Sequence, residues 1–215
     1  MQLNVKINEP SRKVLDSMRS LRTNIMYMDD ISVISFTSTL ADEGKSIISF
    51  YLANSFASIG KKTLFVDCDM RKSKIDKYFQ AGNESISGLS EYITRQSRVL
   101  IYKTNIENLD IIPCGKFPPD PSGLLSSEKF EDIINKAYES YDYIIIDTPP
   151  VISTPDAYIV GRVADGVIYV VRDGYPKVKE THYCLETLKR NGCRILGVVS
   201  NMVSANDKGS YYYYY

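Results

Sequence analysis

One stretch decides most of what this chain can fold into. An apolar run, Ser32-Val33-Ile34-Ser35-Phe36-Thr37, passes through Ser38-Thr39-Leu40-Ala41-Asp42-Glu43 into Gly44-Lys45-Ser46 and then into a helix-like segment, 47–58. Strand, loop and helix in that order make a nucleotide phosphate site. Backbone N–H groups at the start of the helix would hold phosphate oxygens, Lys45 would reach the β- and γ-phosphates, and the Ser46 hydroxyl would sit on Mg²⁺. The nucleotide-binding set is therefore Asp42, Glu43, Gly44, Lys45, Ser46 and Ile47, and the nucleotide is ATP. Gly-Lys-Ser alone is a weak signal. A strand before it and a helix after it make it a P-loop, although Thr39 stands where the general pattern has glycine and Asp42 brings a negative charge to a loop meant for phosphates.

The rest of the chain extends that unit into an α/β domain. Apolar runs rich in β-branched residues recur at 32–37, 62–67, 109–113, 143–147, 167–171 and 195–200, with helix-like segments between most of them. This alternation predicts a P-loop NTPase-like fold, a mostly parallel sheet with helices on both faces, in a single domain. The runs Tyr143-Ile144-Ile145-Ile146 and Val167-Ile168-Tyr169-Val170-Val171 are continuously apolar, as central strands buried on both sides must be. Ahead of the first run, Val14, Leu15, Met18, Leu21 and Ile25 recur at helical spacing, which predicts a helix over 11–28 with Ser11 as its N-cap. The polar segment 72–108 reads as a loop with short helices. Pro118-Pro119-Asp120-Pro121 marks an ordered turn before a helix over 126–138.

At 215 residues the chain would bury about 70% of the surface its unfolded form exposes, enough for one substantial core. Lysine plus arginine balance aspartate plus glutamate at 26 each, so no overall basic field attracts nucleic acid, and none is expected as a partner. Cys68, Cys114, Cys184 and Cys193 show no CxxC spacing, and His182 is the single histidine, so no zinc cluster is expected. The cysteines read as reduced core thiols of a cytoplasmic protein. No apolar stretch approaches the roughly 18 residues of a spanning helix, and the first residues lack the apolar core of a signal peptide. Membrane association would come through a partner.

Three aspartates close apolar runs. Asp67 and Asp69, in Leu64-Phe65-Val66-Asp67-Cys68-Asp69-Met70-Arg71, are two apart and would share a strand face, with Cys68 turned the other way. Asp147 ends the run before Thr148-Pro149-Pro150 and arrives at the same carboxyl edge of the sheet, where ligands bind. Phosphoryl transfer is mostly positioning and charge neutralisation, with a carboxylate to accept the proton of the attacking hydroxyl. Asp67 is the candidate base, Asp147 and Ser46 the metal support, and Asp69 a second metal-side group; Lys45, Asp67 and Asp69 form the catalytic set. Arg71 would bridge to phosphate or pair with Asp69. Tyr138, Tyr141 and Tyr143 read as packing residues.

The run Phe65-Val66-Asp67-Cys68-Asp69-Met70-Arg71 resembles the Walker A′ motif of the bacterial tyrosine kinases (BY-kinases) that govern capsule and exopolysaccharide synthesis. Gly44-Lys45-Ser46 is similar to their Walker A motif, Ile144-Ile145-Ile146-Asp147-Thr148-Pro149-Pro150 to their Walker B, and Pro118-Pro119-Asp120-Pro121-Ser122 to a proline-rich turn they carry. The resemblance spans about 11–215 and implies an ATP- and Mg²⁺-dependent protein-tyrosine kinase of the cytoplasmic kinase-domain type. Asp16-Ser17-Met18-Arg19-Ser20-Leu21-Arg22 is similar to the family's Glu-x-x-Arg-x-x-Arg contact motif, with aspartate for glutamate. That implies a ring-forming homo-oligomer, an octamer being one candidate size, held by Asp16, Arg19 and Arg22. These three also share a helix stripe and could simply pair on the surface. The family has proline and glycine where this chain has Ala41 and Asp42. A glycine position suits left-handed backbone, which aspartate tolerates, so the loop should close with reduced ATP affinity. By family architecture Asn201, after the last strand, would contact adenine; a turn role fits it as well.

Seventeen tyrosines occur in the chain, and five of them, Tyr211, Tyr212, Tyr213, Tyr214 and Tyr215, follow one another. A packed core does not account for that clustering. The segment 204–215 reads as a flexible tail after a catalytic domain of 1–203, and its twelve residues could extend at most about 40 Å, far enough to reach an active site. In the family such a cluster is the autophosphorylation substrate, delivered into the next subunit of the oligomer. The resemblance further implies a transmembrane polysaccharide co-polymerase as activating adaptor, a cognate phosphatase, and a place at the inner face of the cell membrane. Two other readings stand beside it. A ParA- or Min-like partitioning ATPase shares the expected fold but generally carries an extra lysine early in the loop, and 38–42 has none. A non-catalytic ATP-binding regulator of polysaccharide assembly would follow if Asp42 prevented turnover.

Overall fold

All six apolar runs rich in β-branched residues become strands. The computed structural model of the chain describes residues 2–7, 9–73, 79–80, 86–98 and 100–203. In chain order the elements begin with β1 (Gln2–Val5), α1 (Arg12–Met26), β2 (Val33–Ser38), α2 (Lys45–Ala57) and β3 (Thr63–Asp67). They continue with β4 (Phe79–Gln80), α3 (Leu89–Ile93), β5 (Tyr102–Thr104), β6 (Leu109–Ile112), α4 (Pro121–Leu125) and α5 (Glu128–Tyr138). The last are β7 (Tyr143–Asp147), α6 (Asp156–Gly161), β8 (Gly166–Arg172), α7 (Val178–Arg190) and β9 (Ile195–Asn201).

Among the described residues the strands form one sheet in the order β4-β1-β5-β6-β3-β7-β2-β8-β9. From β6 to β9 every pairing is parallel, whereas β5 meets β6 and β4 meets β1 antiparallel. The extra edge differs from the polar loop expected over 72–108. That segment contributes α3 and the short strands β4 and β5, and β1 pairs with both. These strands are two to four residues long and escape a reading that depends on long apolar runs.

Strand residues alternate between two cores, so both faces of the sheet are covered. Ile34, Phe36, Phe65, Ile145, Ile168 and Val170 face α1 and α2. Val33, Leu64, Val66, Ile144 and Ile146 face the helices that follow β3, and Val167 and Tyr169 pack with Cys184 and Leu188 of α7. Helix α2 is apolar on nearly all sides because it lies between the sheet and α1. Phe56 stacks on Tyr143 at 3.8 Å and Phe50 meets Phe65 edge-on at 5.6 Å, which fixes how α2 lies on the sheet.

Helix α1 begins where its cap residue places it, with the Ser11 hydroxyl accepting from Val14 N–H, and it buries Met18 and Ile25. At the proline-rich turn the chain starts a helix earlier than 126: Asp120 caps α4, and Ser127 caps a separate α5. Of the three tyrosines read as packing residues, Tyr143 stacks on Phe56 and the Tyr141 hydroxyl donates to Asp110 at 2.9 Å. Tyr138 instead lies 58% exposed, because the buried stripe of α5 is Phe130, Ile133, Ile134 and Ala137, and one further residue turns about 100° away. All four cysteines are buried free thiols. No helix of the described residues is long and apolar enough to cross a membrane.

Candidate active site

The loop between β2 and α2 is braced by side chains, those of Glu43 and Thr39, that do not line the ligand cavity. Glu43 is fully buried, and its carboxylate accepts from Leu40 N–H at 2.6 Å and Arg172 N–H at 2.8 Å. The Glu43 side chain thus braces the loop against β8. Its carbonyl accepts from Asn201 Nδ2 at 2.8 Å, so the end of β9 holds the loop from the other side. Thr39, in place of the expected glycine, is also fully buried, its hydroxyl 2.8 Å from the Tyr169 hydroxyl and 3.1 Å from that of Thr181.

Two loop residues adopt left-handed backbone, Asp42 at φ 64° and Gly44 at φ 87°. The expectation for Asp42 holds: it occupies a glycine-like position that aspartate can tolerate. Gly44 has a second constraint, since a Cβ there would lie 2.2 Å from Asn201 Nδ2. The loop thereby delivers the first turn of α2, whose N–H groups lack intrahelical partners, to a cavity of about 660 Å³. Ala41, Asp42, Gly44, Lys45, Ser46 and Ile47 form one wall; Asp69, Arg71, Lys72, Pro149 and Pro150 are among the residues opposite. Arg172 and Met202, which sequence reasoning missed, line it too. They reach it from the carboxyl ends of β8 and β9, the one signal that could have found them.

Asp67, Asp69 and Asp147 converge as expected, although Asp69 does so from a turn beyond the end of β3 rather than from the strand. Asp67 and Asp147 stand opposite each other in the β3–β7 register. Lys45 Nζ lies 3.1 Å from Asp69 Oδ2, 3.5 Å from Asp147 Oδ2 and 3.1 Å from Ser46 Oγ. Asp67 accepts from Asp69 N–H at 3.0 Å and from the Ser73 hydroxyl at 2.5 Å. Cys68, between the two aspartates, points to the core on the other face with Leu64 and Val66.

Three carboxylates around one ammonium leave the site short of positive charge. Burial pushes the Asp67 carboxyl well above the usual range, the Asp147 charge adds to this, and the Ser73 hydrogen bond opposes it. Asp147 is also raised by burial, against the pull of Lys45 and Ser46. Burial disfavours the Lys45 ammonium, but Asp147, Asp69 and Asp67 outweigh it and hold its pKa above the ordinary value. Asp147 Oδ2 is buried with no hydrogen-bond partner among the described residues, beside Lys45 and Ser46. Among those residues no group of three or more acidic, histidine or cysteine ligands could enclose a cation. This set fits Mg²⁺, which takes one or two carboxylates and completes its shell with water and substrate phosphates.

Three arginines named from the sequence make contacts within the chain. Arg71 pairs with Asp156 rather than Asp69: its Nε donates to Asp156 at 2.8 Å and its Nη2 to Ser122 at 2.9 Å. On α1, Arg19 pairs with Asp16 at 2.9 Å on the exposed surface. Arg22 turns inward, donating to the Ser55 carbonyl at 2.7 Å. The tyrosines Tyr211, Tyr212, Tyr213, Tyr214 and Tyr215 lie outside the described residues.

This arrangement has relatives. The AAA domain family matches residues 31–189. The tyrosine-protein kinase CpsD of Streptococcus agalactiae is 35% identical over 90% of this chain and 84% of its own length. The crystal structure of the chimerical protein CapA2B2 is 31% identical and superposes with a TM-score of 0.84, covering 94% of each chain. The kinase domain of the Escherichia coli tyrosine kinase ETK, also 31% identical, gives 0.83 over 94% of this chain and 80% of that one. A MinD cell division protein of Aquifex aeolicus, at 20% identity and a TM-score of 0.65, shares the fold alone, so the partitioning-ATPase alternative gains no support beyond topology. With its acidic motif, its phosphate loop and these relatives in agreement, the chain belongs to the bacterial tyrosine-protein kinases.

Proposed function

We propose that this tyrosine kinase transfers the γ-phosphoryl group of ATP to tyrosines 211–215 of a neighbouring copy, and that it serves capsular or exopolysaccharide synthesis. The observation that carries the reading is the convergence of Asp67, Asp69 and Asp147 on Lys45 at the mouth of the phosphate loop. Ser46 and Asp147, with Asp69 nearby, would hold Mg²⁺. When bound, the ion neutralises charge on the phosphates.

Each remaining role follows from position. The N–H groups that open α2 bind phosphate oxygens, and Lys45 leaves its carboxylates for the β- and γ-phosphates as nucleotide enters. Asp67, whose raised pKa suits a proton acceptor, takes the phenol proton of the incoming tyrosine. The new O–P bond forms as the bond from the γ-phosphorus to the bridging oxygen breaks, and ADP leaves. Asn201 keeps its Oδ1 for the base, its Nδ2 being committed to Glu43.

We take 1–203 as the catalytic domain and 204–215 as the acceptor segment. Asp16 and Arg19, exposed on α1, are the side chains available to a neighbouring copy in a ring, whereas Arg22 would have to leave Ser55 to join them. The protein would work in the cytoplasm against the inner face of the membrane, with an adaptor to activate it and a phosphatase to reset it. The deciding experiment is incubation with MgATP, with and without a candidate adaptor segment, followed by mass-spectrometric mapping of phosphotyrosine. Phosphate on 211–215 that disappears in Lys45→Met is the expected result. Bound ATP with an unmodified tail under every condition would overturn the reading.

A further inference from the structure

The turn that follows β3 carries Asp69 but is not itself part of the sheet. Within the turn, Asp69 N–H donates to Asp67, Lys72 N–H donates back to Asp69 at 3.0 Å, and Met70 N–H donates to the Cys68 carbonyl at 2.9 Å. These bonds shape the turn without tying it to distant parts of the fold. Cys68 N–H, which donates to the Asp147 carbonyl at 2.8 Å, and the side chains of Cys68, Asp69, Met70 and Arg71 do that. Met70 is buried in the core below the sheet, and Arg71 reaches across to two other elements.

Arg71 is 38% exposed and lines the ligand cavity, while its partner Asp156, at the start of α6, is fully buried. The guanidinium addresses both carboxylate oxygens, Nε to Oδ2 at 2.8 Å and Nη2 to Oδ1 at 3.2 Å. Ser122, in the proline-rich turn at the start of α4, accepts from Nη2 and donates to Asp156 Oδ1 at 2.5 Å. A two-pronged guanidinium–carboxylate pair fixes direction as well as distance, which a lysine cannot do. With Asp156 satisfied in this way, the charge of Arg71 is already spoken for and is a poor candidate for binding phosphate. What remains is geometric. The clamp joins the turn bearing Asp69 to α4 and α6, and Asp69 is the nearer of the carboxylates that hold Lys45.

We propose that Arg71 is a positioning residue for phosphoryl transfer: clamped by Asp156 and Ser122, it holds the 68–73 turn so that Asp69 meets Lys45 and the reacting groups stay aligned. The proline-rich turn then belongs to the catalytic scaffold through Ser122. A displacement of about 1 Å at such a site can cost on the order of 100-fold in rate. The inference rests on the kinase reading for its rate prediction but not for its structural one.

The test compares wild type with Arg71→Lys, Arg71→Gln, Asp156→Asn and the Arg71→Gln/Asp156→Asn double variant. In autophosphorylation, Arg71→Gln should lower kcat about 100-fold with KM for ATP within about threefold. Arg71→Lys should recover little of the loss, and the double variant should be no slower than the worse single one. Hydrogen exchange of the 68–73 peptide, measured without nucleotide, should be at least about tenfold faster in Arg71→Gln while peptides of β7 and α2 exchange as in wild type. Loss of KM alone, full rescue by lysine, or additive single effects would overturn the positioning role. Unchanged exchange of 68–73 would overturn it whether or not the chain phosphorylates itself, whereas inactive wild type with the expected exchange would count against the kinase reading only.

Discussion

Asp67 and Asp147 face each other across adjacent parallel strands, paired in register at the last residue of β3 and of β7, and both are buried. Parallel neighbours lie about 4.8 Å apart, so two carboxylates in this relation cannot both carry charge without cost. Lys45 offsets part of that cost from the first turn of α2. The site thus holds a surplus of negative charge that a nucleotide's metal ion can use, together with a carboxyl group ready to take up a proton.

Asp67→Asn should abolish transfer yet strengthen the fold. An amide can keep both hydrogen bonds, to Asp69 N–H and Ser73, while removing one of the crowded charges. The Asp67 pKa is raised on folding, so its contribution to stability is complete below the unfolded value and fades as pH rises through the folded value. Wild type should therefore lose thermal stability relative to Asp67→Asn as pH climbs across that window, with activity lower in the variant by at least about 100-fold. Melting curves from acid to mildly alkaline pH check the first claim; a pH-independent difference between the two proteins would contradict it.

Asp42→Gly should tighten MgATP binding. Asp42 lines a cavity meant for phosphates, and removing its charge takes away a repulsion felt only when the nucleotide is bound. Titration calorimetry should show roughly tenfold higher affinity for Asp42→Gly and weaker binding for Asp42→Val, whose branched side chain suits the left-handed backbone there least. Equal affinities for all three proteins would show that the loop rearranges on binding.

Glu43→Ala should be severe although Glu43 does not line the cavity. It would leave the half-buried N–H groups of Leu40 and Arg172 without this acceptor, each at about 1 kcal/mol. Asn201→Ala removes one bond to the Glu43 carbonyl and should cost less stability. Denaturant titrations that rank Asn201→Ala as the more damaging change would refute the brace.

Phosphorylation should loosen the assembly. Each phosphate adds about −1.5 to −2 charge, so a fully modified cluster would carry roughly −8 to −10 and be repelled by an already acidic site. After incubation with MgATP the protein should sediment as a smaller species, and replacing all five tail tyrosines by phenylalanine should leave it assembled. Identical profiles before and after modification would remove charge as the release mechanism.

Much of this molecule was legible from local pattern. The six long apolar runs, the helix capped by Ser11, the phosphate loop and the gathering of Asp67, Asp69 and Asp147 all depend on spacing and on the carboxyl ends of parallel strands. The short strands β1, β4 and β5 were not legible, because two to four residues carry no periodicity and are placed only by the strands they pair with.

By itself, then, the sequence determined the fold class and which residue types reach the ligand edge, since period-two and helical patterns act within a single element. Only the tertiary structure decided how side chains from different elements share their partners. Glu43 is a brace because Arg172 N–H comes within reach, 129 residues away in the chain. Arg71 turns to Asp156 because α6 packs there, although Asp69 is its near neighbour in sequence. Arg22 is engaged by α2, which leaves Asp16 and Arg19 on the surface. Hydrogen bonds and ion pairs are settled by distance in the folded chain, and that distance is set by the packing of helices on the sheet.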